Sequence, residues 1–194
     1  MRIFLAGASG VIGVRLIPLL VRDGHEVAGM TRSPGKAAAL RELGAEPVVC
    51  DVFDADALVQ AVVAFGPELV MHQLTDLPDQ VERIAEFADR NNRIRTEGTR
   101  NLLAAGAQAG SARFLAQSIA WIPPAGGEAV AEHERLVLDA GGVVIRYGIF
   151  YGPGTYSGSG RLPPPPRIQV DEAARRTVAL LTAPSGVVVV AEEQ

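Results

Sequence analysis

The segment Gly7-Ala8-Ser9-Gly10-Val11-Ile12-Gly13 has the residue types and spacing to hold a phosphate. An apolar run, Arg2 to Ala6, precedes it. An apolar helical pattern follows, carried by Val14, Leu16, Ile17, Leu19, Leu20 and Val21. A strand that turns into a helix over glycines lets the backbone approach a pyrophosphate closely. The helix start adds free N–H groups and the positive end of its dipole. Three glycines alone could merely pack a helix on a strand, so Gly7, Gly10 and Gly13 gain their meaning from the strand before and the helix after.

A second group of residues would read the nucleotide. The next strand-like run ends Gly29-Met30-Thr31-Arg32-Ser33, without the acid that usually holds the ribose hydroxyls of NAD. Arg32 can pair with a 2′-phosphate and stack on adenine, while Thr31 and Ser33 add hydrogen bonds. This favours NADP(H) over NAD(H). Asp51-Val52 suits an adenine contact, the carboxylate on the exocyclic amine and the valine on the ring. A polar residue that merely precedes a helix is the competing reading of Asp51. The histidines His25, His72 and His133 stand apart from one another and from the lone Cys50, which predicts no metal site. Glu132-His133-Glu134-Arg135 resembles an acid–base group, but successive helix positions diverge, so a solvated face is expected.

These residues need a scaffold. Apolar runs at Arg2 to Ala6, Glu26 to Met30, Glu46 to Cys50, Glu68 to His72, Arg113 to Gln117 and Val143 to Tyr147 read as strands. Helices are expected from Val14 to Asp23, Pro34 to Leu43, Asp54 to Phe65, Asp79 to Gly110 with a break near Asn91-Asn92, and Glu128 to Ala140. Pro18 should kink the first. A last helix, Asp171 to Leu181, and a last strand, Val187 to Val190, follow a proline-rich stretch, Pro163 to Pro166, that reads as a linker. Strands alternating with helices imply an α/β class, a doubly wound parallel sheet of the Rossmann type. The 194 residues, 48% hydrophobic and 21% charged, can bury a core and exclude a disordered chain. No apolar run approaches the ~18 residues of a membrane helix, and the opening run is not a signal peptide. The net charge of −4 is spread, so nucleic acid is not an expected partner. One unpaired cysteine fits a cytoplasmic protein.

Taken together, the glycine loop, Thr31-Arg32, Asp51-Val52, Glu97-Gly98-Thr99-Arg100-Asn101-Leu102 and Arg146-Tyr147-Gly148-x-x-Tyr151-Gly152-Pro153-Gly154 resemble the short-chain dehydrogenase/reductase superfamily. The match is to its extended and atypical branch, the NAD-dependent epimerase/dehydratase group, and covers roughly the first 155 residues. The resemblance implies that Ser9, Val11 and Ile12 join the glycines on the pyrophosphate. It implies that Leu74 and Thr75 line the ribose on the nicotinamide side. It places Ser118 where the family has its active-site Ser or Thr. A small carbonyl or sugar-type substrate and an oxidoreductase or epimerase activity would follow.

Two departures temper that expectation. The family's proton relay is a Tyr with a Lys four residues later, the lysine lowering the phenol pKa. Here Gly126 and Val130 fall at those positions, and no lysine follows Lys36. Tyr147 and Tyr151 are the remaining phenols near the expected nicotinamide, and the candidates for a substitute donor. Arg95 stands where many relatives carry Asn; it would bind an acidic substrate group or face solvent. The substrate region is also short, residues 148–170 replacing a long insertion within one nucleotide-binding domain of residues 1–194. The pocket is then shallow or completed by a second subunit, which leaves room for a homodimer. A non-redox isomerase, cyclase or dehydratase, or a regulatory NADP-binding protein without turnover, are the other functions open to such a chain.

Overall fold

Seven parallel strands form the central sheet, in the order β3-β2-β1-β4-β5-β6-β9. The computed structural model describes residues 1–111, 113–121, 123, 126–158, 160 and 162–192. The elements in chain order are β1 (Arg2–Ala6), α1 (Gly13–Arg22), β2 (Glu26–Thr31), α2 (Ala37–Glu42), β3 (Glu46–Val49), α3 (Ala55–Phe65), β4 (Leu69–His72), α4 (Ala88–Arg93), α5 (Thr99–Gln108), β5 (Arg113–Ile119), α6 (Gly127–Asp139), β6 (Val143–Tyr147), β7 (Ile149–Tyr151), β8 (Arg167–Gln169), α7 (Val170–Val178) and β9 (Gly186–Val190). The strand order reverses between β1 and β4, so the crevice at their carboxyl ends is the switch point where this class of sheet binds ligands.

Strand alternation builds two cores. Leu5, Met71, Leu115, Ile145 and Tyr147 face Leu16, Ile17 and Leu20 of α1 and Ala173 and Ala174 of α7. Phe4, Val70, Phe114, Ala116 and Val144 face Leu58 and Val62 of α3, Leu102 of α5 and Val137 of α6. Each large side chain removed from water contributes about 1.5–3 kcal/mol, which makes these layers the main stabilising element.

Local signals place most boundaries. Asp54 caps α3 by accepting from the Ala57 N–H at 3.1 Å, and Gly66 ends the helix in the left-handed region. Pro18 lies on the exposed side of α1, and the helix runs through it. The expected long helix after β4 is instead three different turns of chain. A 3₁₀ segment, Val81–Phe87, leads into α4, and a π turn, Ile94–Gly98, joins α4 to α5 without a break at Asn91-Asn92. The prolines are not a linker. The Ile149 N–H donates to Pro166 O at 2.8 Å, and β8 pairs in parallel with β7. Pro163 is buried, and its carbonyl accepts from Arg167 at 3.1 Å. The short segment expected at residues 156–161 is described except for Ser159 and Arg161, which lie outside the described residues.

Candidate functional site

Register sets the glycine loop. Ala6 is level with Met30 of β2 and His72 of β4, so Gly7 meets Gln73 as the chain leaves the sheet. A Cβ on Gly7 would lie 2.6 Å from the Gln73 carbonyl carbon, and one on Gly13 would lie 2.4 Å from Gly7 O. Both contacts are with backbone, so neither can be relieved by a rotamer change. A Cβ on Gly10 would stand 3.2 Å from Gly7 O. Ser9 Oγ and Thr31 Oγ1 share a hydrogen bond of 3.0 Å that ties the loop to β2. Val11 and Ile12 lead into α1, which starts with no side-chain cap and no acid in its first turn. Its N–H groups and dipole are therefore open to an anion. Arg15 braces this end by donating to Val11 O at 2.6 Å, and to Asp171 Oδ1 at 2.6 Å. The cradle fits a dinucleotide pyrophosphate, because the backbone fills the space that side chains would need.

Beside the loop, a hollow of about 230 Å³ is lined by Arg32, Asp51, Phe53, Asp76, Arg90 and Arg93. Asp76 is its buried floor. Arg32 donates to both Asp76 oxygens at 3.2 and 3.1 Å, and Arg90 does the same at 3.0 and 3.2 Å. Burial alone would raise the Asp76 carboxyl, but the two guanidinium groups outweigh it and hold it below the usual range. Arg93 lies 3.8 Å over the Phe53 ring and pairs with Glu97 at 2.6 Å. Asp51 accepts from the Phe53 N–H at 3.0 Å, which turns the chain at the hollow's rim. Val52 packs into the second core, and Asn101 holds its carbonyl at 2.9 Å.

A polar layer runs beneath the carboxyl ends of β4, β5 and β6. Ser118 and Arg146 are level across β5 and β6, so both face α6. There Ser118 Oγ donates to Glu134 Oε1 at 2.6 Å, and Arg146 Nε donates to the same oxygen at 2.9 Å. Glu134 is only 7% exposed. Burial pushes its carboxyl up, yet Arg146 and Ser118 together bring it below the usual carboxylate range.

Next to it, His72 and His133 are buried edge to face, with ring centroids 5.2 Å apart. Thr99 Oγ1 lies 3.2 Å from His72 Nε2 and 2.7 Å from His133 Nδ1. Burial lowers both imidazole pKa values, and His133 lowers that of His72 further. The folded protein therefore holds both rings neutral. Stability from this pair is complete above the unfolded value of 6.5 and declines as pH falls below it. The expected slope is up to about 1.4 kcal/mol per pH unit for each histidine. Urea melts from pH 7 to pH 5 check this; a flat profile for the parent, or the same slope in a His72→Gln chain, would contradict it.

The model of the NAD dependent epimerase/dehydratase family matches residues 3–140. The chain belongs to the NAD-dependent epimerase/dehydratase family. A Streptomyces protein described as 3-diazoavenalumate denitrifying reductase is 40% identical over 184 residues, covering 80% of this chain and 58% of that one. The 3-beta-hydroxysteroid dehydrogenase of Mycolicibacterium neoaurum is 33% identical over 116 residues, covering 59% of this chain and 31% of that one. The chain thus spans less than two thirds of the length of these relatives. Among solved structures, the UDP-glucose 4-epimerase of Thermus thermophilus in complex with NAD aligns with a TM-score of 0.81. Its 20% identity, over 100% of this chain and 78% of that one, is a likeness of fold.

Against the epimerase/dehydratase pattern, the expected site residues divide. Ser9 of the loop is bonded to Thr31, and Arg32 and Asp51 line the hollow that follows β2 and β3. Leu74 and Thr75 follow β4, where Gln117 Nε2 holds Leu74 O at 3.1 Å and Thr75 is exposed. Tyr147 lies in the core against α7, not at the crevice, 3% exposed and sharing a 2.6 Å hydrogen bond with Thr177. Burial drives its phenol pKa well up, so it offers no accessible proton. The Tyr151 hydroxyl donates to Glu192, which raises its pKa and turns it to the β7–β8 ribbon. Ser118 is buried with its proton committed to Glu134. The solvated face expected at Glu132 to Arg135 holds only for its outer members. Glu132 pairs with Arg100 and Arg135 with Asp139, while His133 and Glu134 point inward.

Asp76 and Arg90 were not candidates from sequence, and Glu134 and Arg146 entered it only within the Glu132–Arg135 group and the Arg146-Tyr147-Gly148 motif, never as a pair, since no local spacing links Asp76 to Arg90 or Glu134 to Arg146. Among the described residues, no cluster of three or more His, Cys, Asp or Glu could hold a metal, and no helix is long and apolar enough to cross a membrane.

Proposed function

We propose that this chain is the nucleotide-binding body of an NAD(P)H-dependent reductase of small organic molecules, with NADP(H) the preferred cofactor. One observation carries the reading: an intact dinucleotide cradle stands beside a corner from which the phenol and lysine are missing. Gly126 and Val130 occupy the positions expected for that pair, and Val130 is buried. Chemistry that needs a hydride but no protein proton donor fits such a corner. The relative described as a 3-diazoavenalumate denitrifying reductase suggests which chemistry. The nicotinamide group, when bound, supplies a hydride, and a diazonium carbon that takes it while releasing N₂ needs no proton from the protein. The loop of residues 7–13 would hold the pyrophosphate, Asp51 and Val52 the adenine side, and Leu74 and Thr75 the second ribose. Residues 148–170 would form the shortened wall of the substrate side.

The test is oxidation of NADPH by an arenediazonium salt, with N₂ release followed by mass spectrometry and deuterium transfer from labelled NADPH. The expected product carries one deuterium in place of the diazo group. NADPH oxidation with both nitrogens retained, or no catalysed oxidation above that of a chain unable to bind dinucleotide, would reject the reading.

The NADP(H) preference rests on Arg32 and Arg90. Asp76 lies between the two guanidinium groups and fixes both where a 2′-phosphate would accept from them, while Asp51 on the same hollow offsets part of their charge. Charged hydrogen bonds contribute about 1.5–3 kcal/mol, so Arg32→Ala is expected to weaken NADPH by roughly tenfold to a hundredfold. NADH affinity should change little. Equal effects on the two cofactors in a fluorescence titration would remove the preference.

A further inference from the structure

Arg95 lacks the partner that its position calls for. Among the described arginines, Arg41 is exposed and the rest donate to carboxylates or carbonyls, but Arg95 has neither. It is partly buried, at the start of the π turn that packs against α6. A desolvated guanidinium without a counter-ion is costly, so such groups are paired in native proteins. Among the described residues, no carboxylate is paired with it. Two groups that feel its charge, His72 and His133, are held neutral, and Arg95 opposes the protonation of both. Burial pushes the Arg95 pKa down, and no described carboxylate pulls it back.

The setting points to the substrate. Arg95 O accepts from the Thr99 hydroxyl at 2.6 Å, which places its backbone beside the histidine pair under the carboxyl ends of β4 and β5. One turn earlier, Asn92 Oδ1 lies 2.5 Å from where a Gly126 Cβ would be. The π turn therefore faces the start of α6, where the family resemblance places its Tyr and Lys. In this chain the positive charge felt by His133 of α6 comes from Arg95 on a different element.

We propose that Arg95 is the anchor for a carboxylate on the substrate. A single planar guanidinium matches a carboxylate, with two parallel N–H···O bonds. A phosphate would call for more than one cation, as in the hollow where Arg32, Arg90 and Arg93 converge. This assignment rests on the reading of the α6 corner as the substrate side of a reductase. It adds that the small molecule is an acid.

The test uses the full chain saturated with NADPH, and two probes, 4-hydroxycinnamate and its methyl ester, by isothermal titration. The parent is expected to bind the acid about tenfold or more tighter than the ester, the loss of one charged pair. Arg95→Met should abolish that difference while leaving the ester's affinity unchanged, and Arg95→Lys should restore part of it. Arg95→Met should also melt at or above the temperature of the parent without probe, because a buried unpaired charge is removed. Equal binding of acid and ester, binding of neither, or an Arg95→Met chain with the parent's acid preference would overturn the proposal. So would a marked fall in melting temperature, which would make Arg95 structural. NADPH binding without acid preference would remove this assignment and leave the cofactor reading in place. Acid preference without NADPH binding would do the reverse.

Discussion

Replacing Gly7 with alanine is expected to lower the melting temperature by roughly 6–12 °C and to abolish dinucleotide binding. The added Cβ would stand 2.6 Å from both the carbonyl carbon and oxygen of Gln73, and 2.9 Å from Leu74 N. None of these atoms can move without shifting β4 against β1. The residue also has φ of +90°, where an L side chain costs about 1–2 kcal/mol. Overpacking adds about 1–3 kcal/mol, giving about 3 kcal/mol in all. For a chain of this size each kcal/mol shifts the midpoint by about 2–4 °C. Gly10→Ala separates fold from function. Its Cβ would meet only Gly7 O, at 3.2 Å, and the residue's φ is not positive, so the fold should lose under about 1 kcal/mol. NADPH affinity should still drop, because the methyl group occupies the space a pyrophosphate would take. Thermal melts with and without NADPH check both variants. A Gly7→Ala chain that melts and binds like the parent would contradict the loop geometry.

Glu134→Ala is expected to destabilise the fold by about 2–3 kcal/mol. It removes one partner of a nearly buried pair, for which losses of about 3–5 kcal/mol are typical. The Arg146 side chain is 42% exposed, so solvent recovers part of that cost. The variant also strips Ser118 of its acceptor and opens a gap between α6 and the sheet. The pH dependence has a definite sign. The folded carboxyl sits below its unfolded value, so the stabilisation is present above the unfolded range near 4.5 and disappears as pH falls through the folded value. Urea melts of the parent and of Glu134→Gln should therefore differ by a constant amount above about pH 5.5 and converge in acid. A gap that widens on acidification would show the opposite linkage. Both chains carry His72 and His133, but the Glu134 charge raises the His133 pKa, so the histidine slope cancels in the difference only above the pH at which folded His133 takes its proton.

Much of the cofactor cradle was legible in the chain because its causes are local. Gly10 and Gly13 press only on Gly7 and Ala8, within six positions, and the positive φ of Gly7 belongs to the same turn, although the Gln73 backbone that Gly7 meets comes from β4; the Asp54 cap and the Gly66 stop are local as well. The missing Tyr–Lys pair was equally plain, since no lysine follows Lys36. Less was legible wherever one element had to meet another. Arg32 was a candidate for a 2′-phosphate, yet nothing near it announced Asp76 and Arg90, which arrive from beyond β4. Tyr147 looked like a phenol at the mouth of the site. Whether a strand residue faces the crevice or the core depends on which helix covers that face, and here α7 covers it. His133 and Glu134 looked like part of a charged surface until the packing of α6 on β5 and β6 turned both inward.

The sequence by itself therefore determined the α/β alternation, the phosphate loop and the loss of the phenol–lysine relay, all properties of residue type and short spacing. The tertiary structure alone decided the charge environment: Asp76 between two arginines, Glu134 between Ser118 and Arg146, two neutral histidines, and Arg95 with no described carboxylate beside it. Strand order and register bring those groups together from distant parts of the chain, and burial then sets the strength of each charge and of its need for a partner.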